Sequence, residues 1–382
     1  MSSDRKNLSP TGDPWLLTPG PLTTSPTVKE AMLHDYGSRD AHFIEVNRHI
    51  RERLVKIVDG GEDFVAVPMQ GSGTFSVEAM LATFVPPDGR LLILVNGAYG
   101  HRMAKICRTA GNPFRMLEWP EDTPVDPAEL ERCLKEDGEI THVAVVHCET
   151  TSGVLNPIRE VAEVTKRNGR RLLIDSMSAF GALPVSASEM TFDAVAASSN
   201  KCLEGVPGMG FVIASKAALE ECEGNSHSLS LDLHDQWVNM EKTKQWRFTP
   251  PTHCILAFDQ ALAEFDEEGG VAGRGGRYSA NCRILVDGMR ALGFETLLPD
   301  ELQAPIIVTF HMPADPAFDF QAFYDALRVR GFVIYPGKLT VADSFRMGCI
   351  GRLGAEEMQA ALDTVAEVLR EMGVDNCKPK AA

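Results

Sequence analysis

At 382 residues the chain exceeds the size at which a single hydrophobic core keeps growing, so two domains are expected at roughly 100–200 residues each. Hydrophobic residues at 44% and charged residues at 24% are ordinary globular values; they exclude disordered and collagen-like chains, and no run of about 18 apolar residues offers a membrane span. A formal charge of −16 disfavours a nucleic-acid or anionic-membrane surface, so any anionic ligand must be caught by locally placed Arg or Lys.

The opening residues, Met1 to Pro14, are polar and lack an apolar run followed by a small-residue cleavage site, which predicts no secretory signal. The nine cysteines, spread from Cys107 to Cys377 without a CxxC pair, fit reduced thiols. Both features point to the cytoplasm. Residues 1–25 are expected to form an N-terminal arm, 26–265 a large α/β domain and 266–382 a small α+β domain.

In chain order, Gly71, Ser72, Gly73 and Thr74 precede a segment of good helix formers, Val77 to Leu81. Free N–H groups, a helix dipole and two hydroxyls at that point suit one phosphate, although a plain Ser or Thr cap has the same appearance. The pattern is neither GxxxxGK nor GxGxxG, which disfavours a nucleotide loop or dinucleotide fingerprint. Apolar runs at 91–95, 142–146, 172–174, 194–197 and 210–214 alternate with helical patterns and predict a largely parallel sheet covered by helices.

Asp175 ends the 172–174 run. In open α/β sheets that edge is where ligands bind, and a carboxylate there can keep a pyridinium nitrogen protonated; capping the next turn is the alternative. Lys201 follows the 194–197 run and leads into the glycine-rich stretch Gly205, Val206, Pro207, Gly208. Such a lysine can form an imine with a carbonyl cofactor, although most lysines are solvated surface residues. The order of phosphate-type turn, strand-end Asp and strand-end Lys is what distinguishes the arrangement from chance.

The stretch 264–276, containing Glu267, Glu268, Gly269 and Gly270, predicts a break and the entry to the second domain. Beyond it, strand-like 306–310 and 332–335 alternate with helical 320–330 and 356–372, and the tail 378–382 is expected to fray. Adjacent His147 and Cys148 point to opposite faces of a strand and cannot pair, so Cys148 reads as core. The histidines show no HExxH spacing, and no metal is expected.

Several segments together resemble the class V, fold-type I aminotransferases over almost the whole chain. They are Leu16-Leu17-Thr18-Pro19-Gly20-Pro21, Gln70-Gly71-Ser72-Gly73-Thr74, Asn96-Gly97-Ala98-Tyr99-Gly100 and His147-Cys148-Glu149-Thr150-Thr151-Ser152-Gly153. Asn200-Lys201-Cys202-Leu203-Glu204-Gly205, Trp246-Arg247-Phe248-Thr249-Pro250-Pro251, Tyr335-Pro336-Gly337-Lys338 and Phe345-Arg346-Met347-Gly348 complete the set. The Trp246 and Phe345 segments are more specifically similar to the branch acting on 2-aminoethylphosphonate and pyruvate.

The resemblance implies a homodimer with active sites at the subunit interface and pyridoxal 5'-phosphate as cofactor. Lys201 would carry the cofactor and Asp175 would pair with its ring nitrogen. Ser72, Gly73 and Thr74 would hold the phosphate, with Asn200 and with Thr249 from the other subunit. Tyr99 would stack on the ring, and Thr151, with Thr150 as a second choice, would face the ring hydroxyl or phosphate. Arg346 would bind the carboxylate of pyruvate or alanine, with the Gly20 backbone lining the same pocket. Ser176 and Ala179 are small-for-small departures from the family pattern. Arg39 stands where relatives carry an aromatic residue, and reads either as a phosphonate contact or as a solvated surface charge. An alanine:glyoxylate or serine:pyruvate aminotransferase is the alternative within the class. A cysteine desulfurase is the rival reaction, with Cys349, inside a strand-like run, as its only candidate nucleophile.

Overall fold

The computed structural model describes residues 7–337, 339 and 342–380, so Lys338 and the first six residues of the expected arm lie outside the described residues. All five apolar runs named for the large unit are strands of one seven-stranded sheet. Its order is Phe64–Gly71, Gly208–Ser215, Ala194–Ser198, Arg171–Asp175, His142–Val146, Leu91–Val95, Phe114–Glu118. Strand Gly208–Ser215 runs antiparallel to both its neighbours, and the rest are mutually parallel.

The two strands absent from the sequence-based expectation are the two edges. Interior strands of a parallel sheet are covered on both faces and read as unbroken apolar runs. Phe64–Gly71 instead contains Pro68, which an edge strand tolerates, and Phe114–Glu118 interposes Arg115 and Glu118.

Alternation along each interior strand divides its side chains between two cores. Leu92, Leu94, Val143, Val145, Leu172 and Ile174 pack on one face, beneath helices Ala41–Ile57, Ile158–Arg167 and Thr252–Glu267. Leu91, Ile93, Val95, Ala144, Val146 and Leu173 pack on the other, beneath helices Gly73–Phe84 and Ala98–Ala110. The parallel strands therefore deliver Gly71, Val95, Val146, Asp175 and Ser198 to one sheet edge.

A separate three-stranded antiparallel sheet, in the order Ile307–His311, Ser344–Gly348, Tyr335–Pro336, backs a phenylalanine-rich core with helix Ala355–Met372. Trp15 and Leu17 of the N-terminal segment are buried in that core, and Trp15–Leu16 pairs in parallel with Phe332–Val333. The 332–335 run is thus two short strands, Phe332–Val333 and Tyr335–Pro336, which belong to different sheets.

The glycine-rich stretch breaks the chain less than its composition predicts. Only Glu268 and Gly269 separate helix Thr252–Glu267 from helix Gly270–Ala291, with φ of 98° at Gly269 and 66° at Gly270. Gly275 lies inside the second helix because a Cβ there would stand 2.3 Å from the Ala182 carbonyl oxygen. That glycine serves close packing and not a turn. The tail is also tied down at its start, where Lys378 O accepts a hydrogen bond of 2.8 Å from Ala314 N. No helix among the described residues is long and apolar enough to cross a membrane.

Candidate active site

The sheet edge holds a cavity of about 430 Å³. Ser72, Gly73, Thr74, Tyr99, Asp175, Asn200 and Lys201, seven of the residues singled out from the sequence, line it together.

Asp175 is the last residue of its strand and only 4% exposed. Desolvation pushes its carboxyl up to about 6, against the Met177 N–H, which donates to Oδ1 at 3.0 Å. Lys201 follows the neighbouring strand by a short turn. Burial pulls its ammonium down to about 8. Nζ donates to the carbonyls of Pro19 at 2.7 Å and Gly20 at 3.0 Å. Gly20 has φ of 104°, and a Cβ there would fall 2.5 Å from Lys201 Cδ and 2.7 Å from Nζ. Only glycine lets the N-terminal segment approach the amine so closely.

Opposite the amine, helix Gly73–Phe84 begins at Ser72, whose side chain does not cap it. The first N–H groups of a helix have no intrahelical partners, so this turn presents unspent donors to the cavity that Ser72, Gly73 and Thr74 line. Ser198 Oγ, also in the lining, is buried with no hydrogen-bond partner among the described residues. Tyr99 sits in the first turn of helix Ala98–Ala110, its N–H donating to Glu149 Oε2 at 3.1 Å.

The cavity thus offers an amine, a strand-end carboxylate, an uncapped helix start, an orphaned hydroxyl and a phenol ring. This set fits a phosphorylated aromatic aldehyde, with Lys201 at the carbonyl, Asp175 at a ring nitrogen and the 72–74 turn at the phosphate.

Four expected residues do not line the cavity. Thr151, expected to face the cofactor, is fully buried; its hydroxyl donates to Glu149 Oε1 and accepts the Ala98 N–H at 3.1 Å. It fixes the start of the Tyr99 helix from behind. Thr249 is exposed, next to the half-exposed Phe248. Arg346, on strand Ser344–Gly348, donates from Nη1 to Thr150 O at 2.7 Å and from Nε to Pro336 O at 3.2 Å. Gly20 meets the site through its backbone carbonyl on Lys201. Arg39 is exposed and apart from the cavity lining.

Sequence patterns gave no role to Arg102, Glu149 or Met177. Arg102 and Met177 line the cavity, and Arg102 follows Tyr99 at the i,i+3 spacing that places two residues on one helix face. Glu149 is fully buried and, through Tyr99 N–H and Thr151, anchors the aromatic side of the cavity. Desolvation raises its pKa.

His147 and Cys148 are both buried: the imidazole meets Ser176 Oγ at 2.9 Å and burial lowers it to about 4, while burial raises the thiol to about 12. Cys349 lies just past strand Ser344–Gly348 and not inside it. It is fully buried, and the hydrogen bond its thiol donates to Cys282, together with desolvation, holds that thiol far above the usual range. A buried protonated thiol of this kind is not the mobile nucleophile that a desulfurase requires.

Comparison with known proteins gives a concordant picture. The family model described as Aminotransferase class-V matches residues 30–337. The 2-aminoethylphosphonate--pyruvate transaminase of Pseudomonas putida is 56% identical over 361 residues, covering 94% of this chain and 98% of that protein. The 2-aminoethylphosphonate--pyruvate transaminase 2 of Burkholderia lata is 55% identical, covering 97% of this chain and 98% of that one. Among solved structures, ureidoglycine-glyoxylate aminotransferase from Bacillus subtilis superposes with a TM-score of 0.87 at 23% identity, over 97% of this chain and 96% of that one. At that level of identity the likeness speaks for the fold alone.

Proposed function

The chain belongs to the class-V aminotransferases, and from that premise we propose that it moves the amino group of 2-aminoethylphosphonate to pyruvate, giving phosphonoacetaldehyde and L-alanine. The observation that carries the chemistry is the meeting of Lys201 and Asp175 in one cavity at the ends of adjacent parallel strands. The substrates follow from relatives bearing that name at 55–56% identity over nearly the whole chain.

The cofactor is pyridoxal 5'-phosphate, which when bound supplies a carbonyl that condenses with amines and a ring that takes up electron density once its nitrogen is protonated. Asp175, buried and ionised above about pH 6, holds that nitrogen's proton. Ser72, Gly73, Thr74 and Asn200 would hold the phosphate, joined by Thr249 from a second subunit, and Tyr99 would cover the ring.

Lys201 has two tasks. It would hold the cofactor before substrate arrives, and once displaced its free amine would take up and return a proton at the donor carbon. An amine held near 8 is neutral in about a tenth of molecules at pH 7, so it can take up a proton as well as release one. Arg346 receives the acceptor's carboxylate. Among the described residues its donors go to two backbone carbonyls and no carboxylate pairs with it, so a substrate anion meets an uncompensated guanidinium.

The homodimer is supported by an exposed apolar rim beside Thr249: Phe75, Phe248 and Leu229 are 50%, 47% and 76% exposed. A cytoplasmic location is supported by nine free cysteines.

The test is a donor screen with pyruvate, following alanine. 2-Aminoethylphosphonate is expected to outpace serine and alanine. Preference for serine would leave the class standing and remove the phosphonate assignment.

A further inference from the structure

One charged group in the cavity has no task in the reaction as described. Arg102 lines the cavity beside Ser72, Gly73 and Thr74. Its Nη1 donates to Thr74 Oγ1 at 3.2 Å, and its Cζ lies 4.7 Å from the centroid of the Tyr99 ring. A guanidinium has five N–H donors, and among the described residues this single hydrogen bond and the ring contact account for all of Arg102's polar partners. No carboxylate forms an ion pair with it, although most arginines nearby in the chain, such as Arg90 and Arg115, have one.

This is an expensive arrangement unless a ligand completes it. A half-buried cation gives up part of its hydration, and protein normally compensates with a carboxylate. Here the compensation is left out on the side that faces the cavity. The guanidinium is meanwhile oriented from two directions, by the phenol face and by a hydroxyl of the 72–74 turn, so little orientational freedom remains to be lost when an anion arrives. Its field also reaches the reacting groups, since its charge helps to hold down both the Asp175 carboxyl and the Lys201 ammonium. A chain of net charge −16 needs such a local cation to attract a dianion.

We propose that Arg102 is the counter-charge for the cofactor's phosphate, closing over it from the Tyr99 side while the uncapped turn of Ser72, Gly73 and Thr74 holds it from the other. The contact to Thr74 favours the cofactor's phosphate over the donor's phosphonate, because that hydroxyl belongs to the turn at the helix start and not to the Arg346 side of the site. The proposal rests on the cofactor reading above.

The experiment compares pyridoxal 5'-phosphate with pyridoxal, which lacks the phosphate, by titrating apoprotein and following visible absorbance. For the wild type the ratio of the two dissociation constants is expected to be large. In Arg102→Gln the phosphate form is expected to weaken by about 10- to 100-fold while pyridoxal is unchanged, so the ratio collapses. Arg102→Lys keeps the charge but loses the planar fork, and its ratio is expected between the two. An unchanged ratio in Arg102→Gln overturns the proposal, as does an effect confined to the Michaelis constant for the phosphonate donor, which would assign the cation to that substrate. Should Arg102→Gln fail to fold, Arg102→Lys decides: a lowered ratio supports the proposal and a wild-type ratio overturns it. If the wild type takes up neither compound, the cofactor reading itself fails; if it takes up both and the ratio ignores Arg102, only this inference does.

Discussion

Lys201 and Glu204 stand three residues apart in the chain, both are withdrawn from solvent, and the protein treats their charges in opposite ways. Around Glu204 the charges are answered from within. It is 2% exposed, and its Oε1 accepts from Tyr278 OH at 2.5 Å and from Arg277 Nη2 at 2.8 Å. Arg274, wholly buried, donates to Glu268 Oε2 at 2.6 Å and to the carbonyl of Cys202 at 2.5 Å. Arg277 reaches on to the Gly351 carbonyl at 2.6 Å. The cluster therefore ties the Lys201 turn to helix Gly270–Ala291 and to the segment that follows the strand of Arg346.

Around Lys201 the charges are left open. The amine rests on two carbonyls, Arg346 rests on two more, and Arg102 on a hydroxyl. Desolvation costs are of the same kind in both places. Where they are met by protein partners they fix a backbone, and where they are not, the charge is left for a ligand on the reading proposed above. Paired charge marks the frame here and unpaired charge marks the site.

Four experiments break or sharpen that contrast. The largest effect is expected from Lys201→Ala with added cofactor: alanine formation should fall by ~10²–10⁴-fold, the range that a positioned general acid–base supplies, with no loss in Tm. A wild-type rate would remove Lys201 from the chemistry. Glu204→Ala should do the reverse, costing about 3–5 kcal/mol in urea unfolding because Arg277 and Tyr278 lose their shared acceptor and Arg274 loses an ion pair at 3.7 Å. A loss below ~1 kcal/mol would show the cluster to be dispensable.

The third experiment is a pH profile. The ammonium form of Lys201 cannot attack a carbonyl, and its pKa is depressed to about 8. Cofactor capture by apoprotein should thus be level above pH 8 and fall about tenfold for each unit below it. A rate still rising at pH 10 would indicate an ordinary, solvated lysine. The smallest effect separates backbone from charge at Glu204, whose φ of 56° lies in the left-handed region. Glu204→Gly should be more stable than Glu204→Ala by about 0.5–1 kcal/mol, the left-handed penalty less glycine's own entropic cost. Equal stabilities would mean that the turn relaxes once the carboxylate is gone.

The interior strands, the strand-end placement of Asp175 and Lys201, and the helix start at Ser72 were all legible in the sequence, since each depends on local pattern: apolar runs buried on both faces, a residue following them, and glycine beside hydroxyls before helix formers. Recognition of the family motifs extended this to Tyr99 and Asn200, which also line the cavity. The edge strands escaped because Pro68 and Arg115 interrupt their apolar character, and the glycines of helix Gly270–Ala291 read as breakers because the carbonyl packed against Gly275 belongs to Ala182. Tertiary structure alone decided which charges are paired. The Lys201 amine meets carbonyls about 180 positions away in the N-terminal segment, Arg102 meets Thr74 on another helix, and Glu204 meets Arg277 and Tyr278 on helix Gly270–Ala291. A side chain's partner on a distant segment is set by the path of the whole chain, so no window of sequence contains it.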